Sequence, residues 1–317
     1  MTMKHPKIGL ALGGGGARGF AHIGVLRVLE QEKIPLDVIV GTSSGALVGG
    51  AYAYGISPDE LERTITRYLD SQEFQTSVIN ALRNAQDKKD RGLVARIQHF
   101  VKNKFILLQA LFKPGLLSAG DFQSMINTFI PDISIQDTRI PFRAVATDLV
   151  SGRQIVFSEG SLREAVMASS AVPGAIQPVK KDKYLLSDGG IMAAVPVTAT
   201  LNQGVEHVIA VSVEKDLTLD EELKAIQDIF IRANDITSHY LSSYELSRAD
   251  VVIRPRVGTM HWTDFTNAGP LIREGEQAAR ESMEEIRFLL PGIRKWFTPK
   301  YLAKRLRKRA RPADIFV

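Results

Sequence analysis

Cysteine is absent from all 317 residues, which excludes a disulfide framework and a thiolate metal site. No apolar run approaches the roughly 20 residues that a bilayer-spanning helix requires. The apolar stretch after Lys7 meets the first glycines after about six residues, too short and wrongly placed for a secretory leader. These absences point to a cytoplasmic protein that does not span a membrane. Histidine is also scarce: His5, His22, His99, His207, His239 and His261 are all there are. None stands in a glycine turn after an apolar run, so a histidine base has no obvious place. With 44% hydrophobic and 24% charged residues, the chain suits one large α/β domain with a sizeable core.

What is present is unevenly placed. From Gly292 to Val317 nine basic residues face one acid, a net +8, so residues 1–291 carry −3 of the overall +5. The high pI therefore belongs to the tail. We expect a single domain over 1–291, with a helical insertion or lid at about 71–118, followed by a basic, partly amphipathic tail over 292–317.

Periodicity predicts strands over 7–12, ending near Val40, in "FRAVATDL", "RQIVFSEG", "YLLSDGG", "HVIAVSV" and "ADVVIRPRV", with helices between them. Ser57 and Pro58 open one helix as N-cap and first residue, with Glu60 completing a capping box. Ser161 caps another. Long helical segments are expected over about 220–247 and 270–290. The stretch Phe105 to Leu117 reads as core, acyl-pocket lining or lid. Alternating strands and helices indicate a mostly parallel sheet covered on both faces.

Two strand-to-helix turns stand out. "GGGGARG" gives up four side chains in a row, so something there needs bare backbone. Gly14, Gly16 and Gly19 fit the dinucleotide fingerprint G-x-G-x-x-G, but no acidic residue ends the second strand to hold a ribose, because Asp37 stands at its beginning. No Gly-Lys-Ser/Thr follows, which excludes a Walker loop. The second turn, Gly41-Thr42-Ser43-Ser44-Gly45, matches G-x-S-x-G between a strand and a small-residue helix. Gly41 and Gly45 relieve crowding at a sharp elbow, and the helix N-terminus favours an alkoxide or oxyanion beside the Ser43 hydroxyl. The blander reading is helix capping. A hydroxyl also needs a base. Asp188, followed by Gly189 and Gly190, ends an apolar strand, and Asp148 is its rival; either must be partly buried to be basic enough.

"GGGGARG", "GTSSG" and "SDGG", in this order, together resemble the patatin-like phospholipase family, and more closely its bacterial and neuropathy-target-esterase-like branch. "ASSAVPGAIQPV" resembles a further block of that family. The resemblance implies a three-layer α/β/α sandwich with a mostly parallel central sheet, and an ester hydrolase using a serine–aspartate dyad. It implies Ser43 as nucleophile, Asp188 as base and the loop of Gly14, Gly15, Gly16, Ala17, Arg18 and Gly19 as oxyanion hole. Gly15 and Gly16 correspond to the amide donors and Arg18 to the residue that steadies the loop. Ala193-Ala194-Val195-Pro196 departs from the asparagine common after the Asp-Gly turn. The implied substrate is a phospholipid or lysophospholipid acyl ester, with no metal or calcium requirement and no cofactor. A non-catalytic lipid-binding module on the same fold, and a dinucleotide-binding protein, are the competing functions. For a lipid substrate, Trp296, Phe297, Tyr301, Leu302 and Leu306 among the cations of 294–311 suit peripheral contact with an anionic membrane. Nucleic acid is not expected as a partner.

Overall fold

The computed structural model describes residues 6–76, 119–215, 226–258 and 260–290, with 217, 219 and 223 singly between. Most of the expected insertion, its Phe105–Leu117 segment and the basic tail lie outside the described residues. The strands are β1 (Ile8–Leu12), β2 (Val38–Thr42), β3 (Phe142–Asp148), β4 (Arg153–Phe157), β5 (Val179–Lys181), β6 (Tyr184–Asp188), β7 (His207–Val211) and β8 (Val251–Ile253). They form one sheet in the order β5-β6-β3-β2-β1-β7-β8, with β4 also paired to β3. The described helices are α1 (Ala21–Gln31), α2 (Ser44–Tyr54), α3 (Pro58–Asp70), α4 (Gln72–Thr76), α5 (Ala119–Phe129), α6 (Leu162–Ser169), α7 (Val197–Leu201), α8 (Ile226–Leu246), α9 (Ala268–Glu281) and α10 (Met283–Arg287).

The run β3-β2-β1-β7-β8 is parallel, as expected for strands buried on both faces. Residues of β1 alternate between two cores. Ile8, Leu10 and Leu12 join the large cluster shared with α1, α2, α3, α5, α6 and α9. Ala11 faces the thinner layer around Val195, Val197 and Leu246. The chain is thus the three-layer sandwich with a mostly parallel sheet that was expected; the exceptions are β4 and β6, which run antiparallel to β3, with β5 pairing antiparallel to β6. Period-2 patterning carries no strand direction, which is why this was invisible in the sequence.

Local rules hold along α3. Ser57 Oγ accepts the Glu60 N–H at 3.2 Å, Pro58 occupies the first turn, and Leu61, Ile65 and Tyr68 bury one stripe. The capping box itself does not close, because the Glu60 carboxylate turns to Arg63 and Arg67. The long helix expected at 270–290 is broken at Ser282 into α9 and α10.

Helices α1 and α9 cross through Gly24 and Gly275. A Cβ on Gly24 would overlap the Ile272 carbonyl oxygen, and one on Gly275 would overlap that of Ala21. Both obstacles are backbone. Gly24→Ala is therefore expected to lose about 2 kcal/mol in urea denaturation, overpacking outweighing the ~1 kcal/mol gain in helix propensity.

Candidate active site

Strand β2 ends at Thr42 and α2 begins at Ser44, so the whole reversal falls on Ser43, with φ 53° and ψ −122°. That conformation is strained for a residue with a side chain. It is held from three sides. The Ser43 N–H donates to Ser169 Oγ at 2.9 Å, and Ser169 Oγ donates onward to the Val145 carbonyl at 2.6 Å. Thr42 Oγ1 donates to the Ala193 carbonyl at 2.9 Å. A Cβ on Gly41 would lie 2.5 Å from Ala46, and one on Gly45 would overlap the Leu12 carbonyl, so both flanking positions have room for hydrogen only.

The antiparallel entry of β6 places Asp188 beside this elbow. Asp188 pairs with Ala146 of β3, and Val145, one residue earlier, pairs with Thr42 of β2. The chain then turns back across β3, where a Cβ on Gly189 would overlap the Val145 carbonyl and approach Thr42 Cγ2 to 3.2 Å. The Asp188 carboxylate accepts the Gly190 N–H at 2.7 Å, and the Ser43 hydroxyl lies near enough to favour its ionised form. Burial pushes its pKa up to about 6, against the opposing pull of those two donors. Both side chains are 6% exposed.

Asp148, the rival carboxylate, is fully occupied. It accepts N–H groups from Val150, Ser151 and Leu185 at 3.0–3.2 Å and the Ser151 hydroxyl at 2.5 Å. The Ser151 bond foremost, with those amides, holds it below the ordinary carboxylate range. It staples the β3–β4 turn to β6.

The glycine loop leaves β1 toward the same place. Four of its amides already have acceptors: Gly13 on Val211, Gly14 on Ala194, Ala17 on Trp262 and Arg18 on Gly15. The N–H groups of Gly15 and Gly16 have no protein acceptor among the described residues. Of the six-residue loop, Gly14, Ala17 and Arg18 thus have their N–H groups committed to structure. The half-buried Arg18 side chain also donates through Nε to the Gly15 carbonyl at 3.1 Å. Burial lowers its pKa, partly offset by Glu214 and Asp235.

Two cavities meet at Ser43. One, of about 100 Å³, is apolar and runs under α3 and α5 among Leu47, Ile65, Tyr68, Ile126, Phe129 and Phe265. The other is an open cleft of about 570 Å³ bounded by Arg18, Asp188, Glu214, Asn234 and Ser238. Gly16, Ser43, Val172 and Trp262 border both. The cleft rim carries exposed apolar side chains on both sides, Ile191 at 44% and Phe230 and Ile231 of α8 at 72% and 62%.

Sequence reasoning missed Ser169. A signal existed: Leu162, Ala165, Val166 and Ser169 fall on one buried stripe of α6, so this hydroxyl points inward. Among the described residues no helix is long and apolar enough to cross a membrane, and no group of three or more His, Asp or Glu could hold a metal ion.

A serine on a strained strand-to-helix turn, a buried aspartate and a glycine-rich loop thus border one cleft of a three-layer α/β/α sandwich with a largely parallel sheet. The family model for patatin-like phospholipase matches residues 10–201, and the chain belongs to that family. It is 33% identical over 215 residues to an uncharacterized NTE family protein of Mycobacterium tuberculosis, covering 65% of this chain and 49% of that protein. It is 32% identical over 219 residues to neuropathy target esterase sws of Drosophila melanogaster, covering 67% and 13% respectively. The chain thus spans about half the length, or less, of these curated relatives. Among solved structures it is similar to VipD from Legionella pneumophila, with a TM-score of 0.45 and 14% identity, covering 90% of this chain and 67% of that one.

Proposed function

We propose that the protein is a serine hydrolase of phospholipid or lysophospholipid acyl esters, with Ser43 as nucleophile and Asp188 as base. The observation that carries this reading is that Ser43 and the buried Asp188 line one cleft, and that Ser43 also borders an apolar cavity. The cavity suits the acyl chain and the cleft the leaving group. Asp188 takes the proton as Ser43 Oγ attacks the ester carbonyl, and returns it to the departing alcohol oxygen. Water then repeats the sequence on the acyl-enzyme, with Asp188 again accepting a proton. The free N–H groups of Gly15 and Gly16 support a role as donors to the oxyanion, where one lost donor typically costs on the order of 10²–10³ in rate. The chain itself supplies both base and anion donors, so turnover in this reading is calcium-independent.

The experiment is labelling with a fluorophosphonate probe, followed by a panel of short- and long-chain acyl esters and lysophospholipids with and without EGTA. Labelling at Ser43 and ester turnover indifferent to EGTA are expected. A folded protein that neither labels nor turns over any ester would leave the lipid-binding alternative.

Ser169→Ala strips the Ser43 N–H and the Val145 carbonyl of their shared partner. It should lower kcat by roughly tenfold through loosening of the elbow, while stability falls by about 1–2 kcal/mol. Steady-state kinetics and urea titration on the same preparation measure both.

Access to lipid in this reading uses the apolar rim of Ile191, Phe230 and Ile231, whose exposure supports contact with a lipid aggregate. The basic tail over 294–311 adds attraction to an anionic surface, about 1 kcal/mol per basic residue near the membrane. Truncation after Leu290 is expected to weaken sedimentation with phosphatidylserine vesicles and to leave turnover of short soluble esters in place.

A further inference from the structure

We propose that His22 is a positioning residue for the glycine loop: its Nε2–H grips the Gly13 carbonyl and thereby aims the amides of Gly15 and Gly16 into the cleft. This rests on the reading of that loop as the oxyanion site. His22 sits in the first turn of α1 with no solvent exposure, and its Nε2 lies 2.7 Å from the Gly13 oxygen. A carbonyl only accepts, so the bond requires the proton on Nε2 and leaves Nδ1 as a bare lone pair. That Nδ1 is buried without a partner. An orphaned buried acceptor is destabilising, and an apolar side chain would avoid it. The penalty makes sense only if the Nε2 bond does something that packing alone does not.

The geometry of the peptide says what. Atoms of a trans peptide lie in one plane, with C=O and the following N–H pointing opposite ways. The Gly13 carbonyl points to His22, and the Gly14 N–H points to the Ala194 carbonyl at 2.8 Å. One peptide is therefore clamped between α1 and the segment that follows Asp188. The Gly13 N–H, on Val211 of β7 at 3.0 Å, fixes the preceding peptide. Glycines have no side chains with which to hold an orientation themselves, so these three bonds from outside the loop set where its next amides point. Burial lowers the His22 pKa to about 4, which keeps the ring neutral wherever Asp188 is ionised.

The test compares wild type, His22→Leu and His22→Gln on one soluble ester, with melting curves for each. Gln carries an N–H at nearly the reach of imidazole Nε2; Leu fills the space without a donor. For folded His22→Leu we expect kcat to fall about 10- to 100-fold with KM within twofold, as small misplacements of reacting groups do, and His22→Gln to recover most of the loss. A kcat for folded His22→Leu within twofold of wild type, or a loss seen only as raised KM, overturns the proposal. Should His22→Leu not fold, ¹⁵N NMR of the imidazoles in the wild-type protein decides: the Nε2–H tautomer is required, and an Nδ1–H tautomer of His22 overturns it. Failure of the hydrolase reading is separable, because it would appear as an inactive, unlabelled wild type.

Discussion

Ser43→Ala is expected to lower kcat by on the order of 10⁴–10⁶, the scale seen when a nucleophilic serine is removed. Its companion, Ser43→Gly, should be equally inactive but more stable than the alanine variant. Both variants lose the Ser43 hydroxyl, so their difference isolates the backbone. At φ 53° and ψ −122° alanine keeps the steric strain and glycine relieves it, worth about 1–3 kcal/mol. Part of that is returned through the greater freedom of glycine in the unfolded chain, about 0.4–1 kcal/mol. A net advantage of about 1 kcal/mol corresponds to roughly 1.5–2 °C in Tm for a domain of this size. Scanning calorimetry of the two inactive proteins side by side measures it. Equal Tm values would mean that the elbow stores no strain, and residual turnover near wild type in either variant would remove Ser43 from the chemistry.

Asp188→Asn should reduce kcat by on the order of 10⁴, since the amide cannot take the serine proton. The pH dependence carries a sign. Desolvation raises the Asp188 pKa to about 6, so the base is competent above that pH, and kcat/KM should rise with pH to half its plateau near 6. The residual rate of Asp188→Asn should lack this limb. Stability runs the other way. The folded protein binds this proton more tightly than the unfolded chain, so lowering pH from 7 toward 5 favours folding through this group. Above 6 the buried carboxylate is ionised and costs the fold on the order of 3 kcal/mol. Asp188→Asn should therefore melt above wild type at pH 7, with the advantage shrinking to nothing near pH 4. An activity limb centred near 4, or an asparagine variant that melts lower at pH 7, would show that the carboxylate is not held in a desolvated site.

Among the described residues His22 is committed to Gly13, His207 lies beside Asp250, His261 bonds Thr263, and His239 borders a hollow with Arg18, Glu214 and Asp235.

The local signals were strong where one peptide segment decides its own geometry. Gly41 and Gly45 around Ser43, Ser57 and Ser161 as caps, and the all-apolar β1 are choices that steric crowding and burial force on neighbouring residues. The order of the three glycine-bearing motifs then pointed to the family and to a sandwich. The choice between Asp188 and Asp148 could not be made from the residues alone. Both end apolar strands, and both are 6% exposed or less. They differ in what surrounds them: four donors compensate Asp148, whereas Asp188 keeps only the Gly190 amide and the serine hydroxyl.

By itself the sequence determined the two tight turns, the strand–helix alternation and the family, because each depends on residues close together in the chain or on the order of short motifs. Tertiary structure alone decided that β6 runs antiparallel, that Asp188 and Ser43 line one cleft, that Ser169 bonds the Ser43 amide and that His22 bonds the Gly13 carbonyl. Those facts depend on strand direction and on residues far apart in the chain, Ser43 and Ser169 by 126 positions, and a burial pattern reads the same in either direction.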